Sequence, residues 1–211
     1  MSITKKPIRA IIWDMGGVLV RNMVPEPRNR LAESYRISEV ELEQVVFGNP
    51  VSSKATIGDA GVEEVWNCVQ ENLNIPQEQM PEFINTFWSS DRMDEELVDF
   101  IQSLRDRFKI ALLSNAYADA RQSLGTRFPR LLSVFDEIVF SAEVKMAKPD
   151  PRVFRLMLDR LRLEPAEVIF VDDFRENVEA ARAVGMTGIH FRNGPQAREA
   201  VLEVINSAGA E

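Results

Sequence analysis

The chain has 211 residues, 45% of them apolar and 27% charged, a composition typical of a folded globular protein rather than a disordered one. A formal charge of −8, from 33 acidic and 25 basic residues, argues against a nucleic-acid-binding role, which usually needs a basic face. Because Cys68 and His190 are the only residues of their types, the sequence excludes an intramolecular disulfide and a zinc site built from cysteine and histidine.

The first predicted strand is the apolar run at residues 8–13, which ends at the turn-forming segment Asp14-Met15-Gly16-Gly17. The next interval, residues 21–91, differs in character because it contains no convincing strand. Its helical stretches are separated by proline and glycine, and they lie near residues 28–35, 38–47, 59–73 and 77–88. We therefore expect a helical domain at residues 21–91, inserted into an α/β core formed by residues 1–20 and 92–211.

From residue 94 onward, helical and strand patterns alternate. Further strands are predicted at residues 110–113, 137–140, 168–171 and 188–191, and helices at residues 94–108, 150–161, 175–184 and 195–205. Asp94 is the expected N-cap of the first of these helices, and Gly185 is the expected end of the third. Continuous apolar strands that alternate with helices predict an α/β fold, a Rossmann-like parallel sheet with helices on both faces.

Polar side chains that can take part in catalysis or bind a ligand follow the ends of these strands. Because parallel strands place their carboxyl ends at one edge of a sheet, we expect these side chains to meet there. Clustered carboxylates repel one another and need a cation, and an all-oxygen ligand set favours Mg²⁺. A carboxylate can also act as a nucleophile toward phosphorus. The side chains concerned are those of Asp14, Ser114, Asn115, Lys148, Asp172 and Asp173.

Four short segments, in this order, resemble the motifs of haloacid dehalogenase-like hydrolases. They are Trp13-Asp14-Met15-Gly16-Gly17-Val18-Leu19, Leu113-Ser114-Asn115, Lys148-Pro149, and Asp172-Asp173 with Asn177, Ala181 and Gly185. One such motif is a weak signal, but four in order at strand ends are a specific one, and the resemblance covers nearly the whole chain. It implies that the helical insert is the small mobile cap found in that family.

The resemblance to phosphatases of that family implies a nucleophile and a metal site. Asp14 would be the nucleophile and would be phosphorylated during turnover. Asp14, Asp172 and the main-chain carbonyl of Gly16 would hold Mg²⁺. Asp173 would be a further metal ligand, or it would support the metal ligands without binding the metal itself.

The resemblance also implies which residues bind the substrate, a small phosphorylated metabolite such as a sugar phosphate. Lys148 would act in catalysis and would bind the phosphate together with Ser114. Asn115, which follows Ser114 in the same motif, is a candidate for substrate binding as well.

One position departs from the pattern of most phosphatases in the family. The residue two after the nucleophile is an aspartate in those enzymes, where it protonates the leaving group and later activates water. Here it is Gly16, and general acid–base help is typically worth about 10²–10⁴-fold in rate. A subset with a similar Asp-x-Gly start, which includes sugar-1-phosphate phosphatases, resembles this chain. We therefore expect slow turnover, good leaving groups, or a base supplied by the cap, water or substrate.

Two alternative functions stay open. A metal-independent 2-haloacid dehalogenase would also use Asp14, which would then attack carbon, although the pair Asp172-Asp173 argues against it. A catalytically weak protein that binds phosphorylated ligands is compatible with Gly16. Metal dependence separates the dehalogenase from the phosphatase, and rapid phosphate release separates the phosphatase from the binding protein.

The remaining expectations concern the localisation and partners of the protein and the residues without a predicted role in the site. No apolar run approaches the roughly 18 residues of a membrane helix, and one cysteine favours a reducing cytoplasm, so we expect neither a membrane nor a nucleic-acid partner. A monomer and a homodimer both stay open. We interpret His190 as structural, and Arg21, Arg28, Lys54 and Asp59 of the insert as solvated surface charges.

Overall fold

A computed structural model describes residues 6–208 of the chain. Its strands, numbered along the chain, are β1 (Ala10–Trp13), β2 (Val20–Asn22), β3 (Asp91–Met93), β4 (Lys109–Ser114), β5 (Glu137–Phe140), β6 (Val168–Asp172) and β7 (Thr187–His190). Five of them form a parallel sheet in the order β5-β4-β1-β6-β7, and β2 pairs with β3 in a second, antiparallel sheet.

The helices within residues 6–208 pack around the large sheet and make up most of the insert. They are α1 (Glu26–Ser34), α2 (Glu39–Phe47), α3 (Pro50–Thr56), α4 (Val62–Leu73), α5 (Met80–Trp88), α6 (Glu95–Ser103), α7 (Ala120–Arg127), α8 (Pro129–Ser133), α9 (Ser141–Val144), α10 (Pro151–Leu161), α11 (Arg175–Val184) and α12 (Gly194–Ala208), with short 3₁₀ turns at Gln77–Gln79 and Pro165–Glu167. Among residues 6–208, no helix is both long enough and apolar enough to cross a bilayer.

Strand β1 lies at the centre of the large sheet, and its side chains enter two apolar clusters in turn. Ile11 and Trp13 pack into the cluster on one face, whereas Ala10 and Ile12 pack into the cluster on the other. All four side chains are fully buried. A strand covered on both faces has no polar face to show, which is why its sequence is a continuous apolar run. The predicted Rossmann-like α/β fold class is confirmed.

The strand order places the carboxyl ends of the central strands side by side. Trp13, the last residue of β1, lies opposite Leu112 of β4 and Val171 of β6. Strands β4 and β5 extend the sheet on one side of β1, and β6 and β7 extend it on the other. Ligands of open α/β sheets bind at this kind of change in strand order. Asp14, directly after β1, therefore stands at the favoured place for a site.

Helix boundaries agree with the sequence where a specific residue sets them. The Asp94 side chain accepts a hydrogen bond from the backbone N–H of Leu97 at 3.0 Å and so caps α6. Gly185 ends α11 in the left-handed region with φ of +105°, which glycine adopts without strain. Helices α7 and α8 were not predicted, because each buries only one or two side chains and leaves little apolar periodicity.

The expectation of no strand in residues 21–91 is wrong at both ends of that interval. Strands β2 and β3 pair antiparallel, with Val20 opposite Met93 and Asn22 opposite Asp91. Each has only three residues, of which most are polar, so neither produces a period-2 signal. This small sheet forms the entry and exit of the helical insert.

The helices of the insert enclose an apolar cluster of their own, which includes Leu42, Val69 and Phe87. Arg28 is buried beside it, and the expectation that it is a solvated surface charge is wrong. Its guanidinium donates to Glu43 Oε1 at 2.8 Å, to Asp91 Oδ1 at 2.9 Å and to the carbonyl of Phe87 at 3.1 Å. Arg28 thus links α1 to β3, the strand by which the chain leaves the insert.

The insert contacts the core through loops at the carboxyl edge of the sheet. The hydroxyl of Ser141, directly after β5, donates to the carbonyl of Thr56 at 2.6 Å. Tyr117, in the loop after β4, donates its hydroxyl to the carbonyl of Val46 at 3.4 Å. Because both core residues follow strand ends, the insert lies against the edge that carries the candidate site.

Candidate active site

The site is built around Asp14, whose backbone N–H continues the sheet by donating to the carbonyl of Val171 at 2.9 Å. The chain then turns tightly, since the N–H groups of Leu19 and Val20 both donate to the carbonyl of Met15, at 2.8 and 2.9 Å. Gly17 has φ of +77° in this turn, a conformation that suits glycine. The turn lets the chain leave β1 at the sheet edge while the Asp14 side chain stays buried.

Lys148 joins two of the predicted site residues. Its ammonium donates to Asp14 Oδ1 at 2.6 Å and to Asp172 Oδ2 at 2.7 Å. All three side chains are at least nine-tenths buried, so these charges interact where water screens them little. The ends of β1 and β6 and the loop before α10 are therefore brought together, as the sequence predicts.

Asp172 is held from several directions. Besides Lys148, the backbone N–H of Phe174 donates to its Oδ1 at 2.8 Å, and Asn177 Nδ2 lies 3.0 and 3.1 Å from its two oxygens. These contacts come from the first turn of α11 and its approach, so the start of that helix fixes the carboxylate. Asn177 belongs to the fourth motif, but nothing in the sequence predicts its contact with Asp172.

Asp173 lies beside the turn that follows Asp14. A Cβ atom built on Gly17 would overlap the Asp173 carboxylate, so only a glycine at this position leaves room for it. Asp173 Oδ1 is buried and has no hydrogen-bond partner within the described residues 6–208. Its carbonyl lies 2.8 Å from His190 Nε2, which agrees with the structural interpretation of that histidine.

The local environment shifts the ionisation of these groups. Burial, with added repulsion from Asp172, raises the pKa of Asp14 to about 7 despite the attraction of Lys148. Burial acts to lower the pKa of Lys148, but the attraction of Asp14 and Asp172 outweighs it, so the pKa lies above its usual value. Burial and the charge of Asp172 raise the pKa of Asp173. In the absence of a bound cation, burial and the repulsion between the carboxylates therefore favour the protonated forms of Asp14 and Asp173.

The donor set fits a hard divalent cation. One oxygen from each of Asp14, Asp172 and Asp173 lies within 4.8 Å of the others. Carboxylate oxygens are the ligands that Mg²⁺ prefers, and the unpartnered Asp173 oxygen leaves one acceptor unsatisfied without a cation. Gly16, the source of the predicted carbonyl ligand, lies exposed in the turn between Asp14 and β2. Its role as a ligand stays a prediction.

The second motif lies at the end of β4. Ser114 is its last residue and is buried, and Asn115 follows it. The Asn115 side chain donates to the carbonyl of Lys148 and accepts from the N–H of Lys148, both at 2.8 Å. Substrate contacts of Ser114 and Asn115 stay predictions, but the Asn115 carboxamide already has a defined structural partner.

The amino-acid sequence matches a known family over most of its length. Residues 8–185 match the haloacid dehalogenase-like hydrolases. The chain belongs to this family. The predicted resemblance and the assignment as a hydrolase are therefore confirmed.

Relatives of this haloacid dehalogenase-like hydrolase include phosphatases. A phosphorylated carbohydrates phosphatase of Thermotoga maritima is 30% identical over 186 residues, which cover 87% of this chain and 84% of that protein. Bifunctional epoxide hydrolase 2 of Sus scrofa is 24% identical over 88% of this chain, but the match spans only 37% of the longer protein. The match therefore corresponds to one part of that protein.

The fold of the hydrolase also recurs in solved structures. A haloacid dehalogenase family enzyme of Bacteroides thetaiotaomicron, in complex with magnesium and inorganic phosphate, superimposes with a TM-score of 0.70. The two chains are 21% identical, and the alignment covers 88% of this chain and 94% of that one. At this identity the likeness establishes the shared fold.

The hydrolase departs from most phosphatases of its family at Gly16, and the structure shows what surrounds that position. Apart from its two chain neighbours, no residue between 6 and 208 has a heavy atom within 4 Å of a Cβ built on Gly16. The absence of a side chain is therefore not imposed by packing. A carboxylate at this position would have room. Substitution of Gly16 by aspartate can therefore test whether the missing acidic side chain limits the reaction.

Proposed function

We propose that this hydrolase is a Mg²⁺-dependent phosphatase that acts on a small phosphorylated metabolite through an aspartyl-phosphate on Asp14. The single observation that carries the proposal is the buried bridge from Lys148 to Asp14 and Asp172. It combines a carboxylate nucleophile, a fixed cation and further carboxylates that fit a metal. Phosphatase relatives support the same reaction class.

Asp14 performs the first step by attacking the phosphorus atom of the bound monoester. A bond forms between an Asp14 oxygen and phosphorus, while the ester P–O bond breaks and the leaving oxygen takes up a proton from water, because Gly16 offers no acid. Lys148 holds Asp14 in place and offsets negative charge on the transferring group, to which the hydroxyl of Ser114 donates a hydrogen bond. Water then attacks phosphorus, which releases inorganic phosphate and restores the Asp14 carboxylate.

Asp14, Asp172 and the carbonyl of Gly16 would hold Mg²⁺, whose positive charge would offset repulsion between the nucleophile and the phosphate. Asp173 would support that site through its buried Oδ1, which has no hydrogen-bond partner among residues 6–208. The positive charge of Lys148 alone leaves the three carboxylates in excess, which is why we infer that the cation is required.

We propose a sugar phosphate as the first substrate class to test. The relative from Thermotoga maritima acts on phosphorylated carbohydrates, as its name states. The insert, residues 21–91, would act as the cap over the substrate, since it contacts the carboxyl-edge loops through Thr56 and Val46. Because Gly16 offers no acid, substrates with good leaving groups should turn over fastest.

The test is release of inorganic phosphate from a panel of sugar phosphates and from p-nitrophenyl phosphate, with Mg²⁺ and with chelator. We expect release that needs Mg²⁺ and is abolished by Asp14→Asn, which keeps the shape but removes the nucleophile. Asp106→Asn is the matched control, because Asp106 is exposed and precedes β4 at the opposite edge of the sheet. Failure of the wild type to release phosphate from any substrate would overturn the proposal.

A further inference from the structure

The side chain of Asn115 forms a two-bond clamp on the backbone of Lys148. Asn115 Nδ2 donates to the Lys148 carbonyl at 2.8 Å, and the Lys148 N–H donates to Asn115 Oδ1 at 2.8 Å. Both polar atoms of one side chain therefore engage both polar backbone groups of one residue. The two residues are 33 positions apart in the chain, so the clamp joins separate parts of the site.

Lys148 needs such a restraint because it lies outside regular structure. It sits between α9, which ends at Val144, and α10, which begins at Pro151. Among residues 6–208, the backbone N–H and C=O of Lys148 have hydrogen bonds only with Asn115. Asn115, in contrast, directly follows the buried strand β4. The clamp thus fixes a loop residue to the rigid sheet.

The position of the Lys148 backbone decides what its ammonium can reach. The ammonium must lie within hydrogen-bond distance of Asp14 and Asp172 at once, and the structure gives 2.6 and 2.7 Å. Misplacement by about 1 Å can cost about 10²-fold in rate when a charged group must meet a transition state. A restraint on the backbone of Lys148 is therefore a restraint on the charge at the nucleophile.

We propose that Asn115 is a positioning residue, which acts on the reaction by holding the backbone of Lys148 and not by a side-chain contact with phosphate. This inference rests on the proposed phosphatase function. The competing role is direct recognition, because one N–H of the Asn115 carboxamide is not used in the clamp and the residue is exposed. The two roles differ in whether the effect of Asn115 passes through Lys148.

A double-mutant cycle separates them. Asn115→Ala, Lys148→Met and the double variant are compared in the Mg²⁺-loaded protein by kcat and KM for p-nitrophenyl phosphate and by calorimetric binding of inorganic phosphate. We expect Asn115→Ala to lower kcat about 10- to 100-fold with a smaller change in KM. In the Lys148→Met background, its removal should change kcat and phosphate binding by less than about threefold. Losses that multiply in the double variant would overturn the proposal.

A labelling experiment gives a readout that does not need activity. An amine-reactive acylating reagent is applied, and the modification of Lys148, whose side chain is 1% exposed, is followed by mass spectrometry. We expect Asn115→Ala to raise its modification rate about tenfold or more, because the loop opens more often without the clamp. An unchanged rate would overturn the proposal. A raised rate in a protein that releases no phosphate would support the clamp and refute the phosphatase function.

Asn49→Ala is the matched control. The Asn49 side chain also clamps backbone groups, since it donates to the carbonyl of Val45 and accepts from the N–H of Ser52, both at 2.8 Å. It lies in the helical insert at the start of α3. We expect Asn49→Ala to lower the melting temperature while kcat and Lys148 labelling stay at wild-type values. Equal effects of Asn49→Ala and Asn115→Ala on Lys148 labelling would overturn the specific role of Asn115.

Discussion

Replacing Lys148 by methionine removes the ammonium that donates hydrogen bonds to both Asp14 and Asp172. Methionine retains most of the side-chain volume, so the change is chiefly electrostatic. Lys148 and Asp172 are essentially inaccessible to solvent and Asp14 is nearly so, and the ammonium lies 2.6 and 2.7 Å from the two carboxylates. Without it, two carboxylates share a buried site with no fixed counter-charge.

The expected loss of stability follows from this burial. Removing one partner of a buried ion pair typically costs about 3–5 kcal/mol, because the remaining charge is left uncompensated. For a chain of this size, about 1 kcal/mol shifts the melting temperature by roughly 2–4 °C, so Lys148→Met should melt about 6–20 °C below the wild type without Mg²⁺. The deficit should be smaller at about pH 6 than at about pH 8, because a proton on Asp14 relieves the repulsion.

Urea unfolding and calorimetry in chelator, repeated with Mg²⁺, measure the loss. Lys109→Met is the matched control, because the Lys109 ammonium donates to the carbonyl of Leu161 and the residue is exposed. It should cost less than about 1 kcal/mol. Mg²⁺ should recover part of the Lys148→Met deficit, since a bound cation stabilises the folded state. Equal losses of stability for the two lysine variants, or a Lys148→Met deficit that Mg²⁺ does not reduce, would show that the Lys148 ammonium does not stabilise the two carboxylates.

Four further predictions follow from the same site and its cap. Gly16→Asp should raise kcat for sugar phosphates about tenfold or more but change p-nitrophenyl phosphate turnover little, whereas Gly16→Asn should raise neither; steady-state kinetics decides this. Gly17→Ala should lower stability by about 1–3 kcal/mol, since φ is +77° and the new Cβ would displace Asp173, as urea unfolding would show. The raised pKa of Asp14 means that the folded state binds a proton that the unfolded chain releases between pH 3.8 and about 7, so Mg²⁺-free stability should fall as pH rises through that window, and saturating Mg²⁺ should remove this fall. Arg28→Met should destabilise the protein by about 1–3 kcal/mol, measured by the same unfolding assay, because the carbonyl of Phe87 and the mostly buried carboxylate of Asp91 lose their hydrogen-bond donor.

The sequence predicted those parts of the fold that have a strong local signal. Strand β1 is apolar throughout because both faces are covered, and α11 stops at Gly185 because glycine adopts the left-handed conformation there. Strands β2 and β3 were missed, because three mostly polar residues in each carry no periodicity. Their pairing depends on the tertiary contact between the two ends of the insert.

The candidate site was likewise predicted only in part from the sequence. Strand ends and their order predicted that Asp14, Lys148 and Asp172 would lie together, and the structure places them in contact. The burial of Arg28 and the clamp from Asn115 could not be predicted, because a charged or amide side chain has the same local sequence whether it faces solvent or a distant backbone. Such contacts depend on residues 15 to 63 positions away in the chain.

A single-turnover reaction in water enriched in heavy oxygen tests whether Asp14 forms an aspartyl-phosphate. Attack of water on phosphorus places the heavy oxygen in the released phosphate and leaves the Asp14 carboxylate unlabelled. Quenching during turnover should also yield a peptide in which Asp14 carries one phosphoryl group, detected by mass spectrometry and absent from Asp14→Asn. Heavy oxygen in Asp14 itself, as expected when an alkyl ester is hydrolysed at the carboxyl carbon after dehalogenation, would exclude hydrolysis of an aspartyl-phosphate at phosphorus.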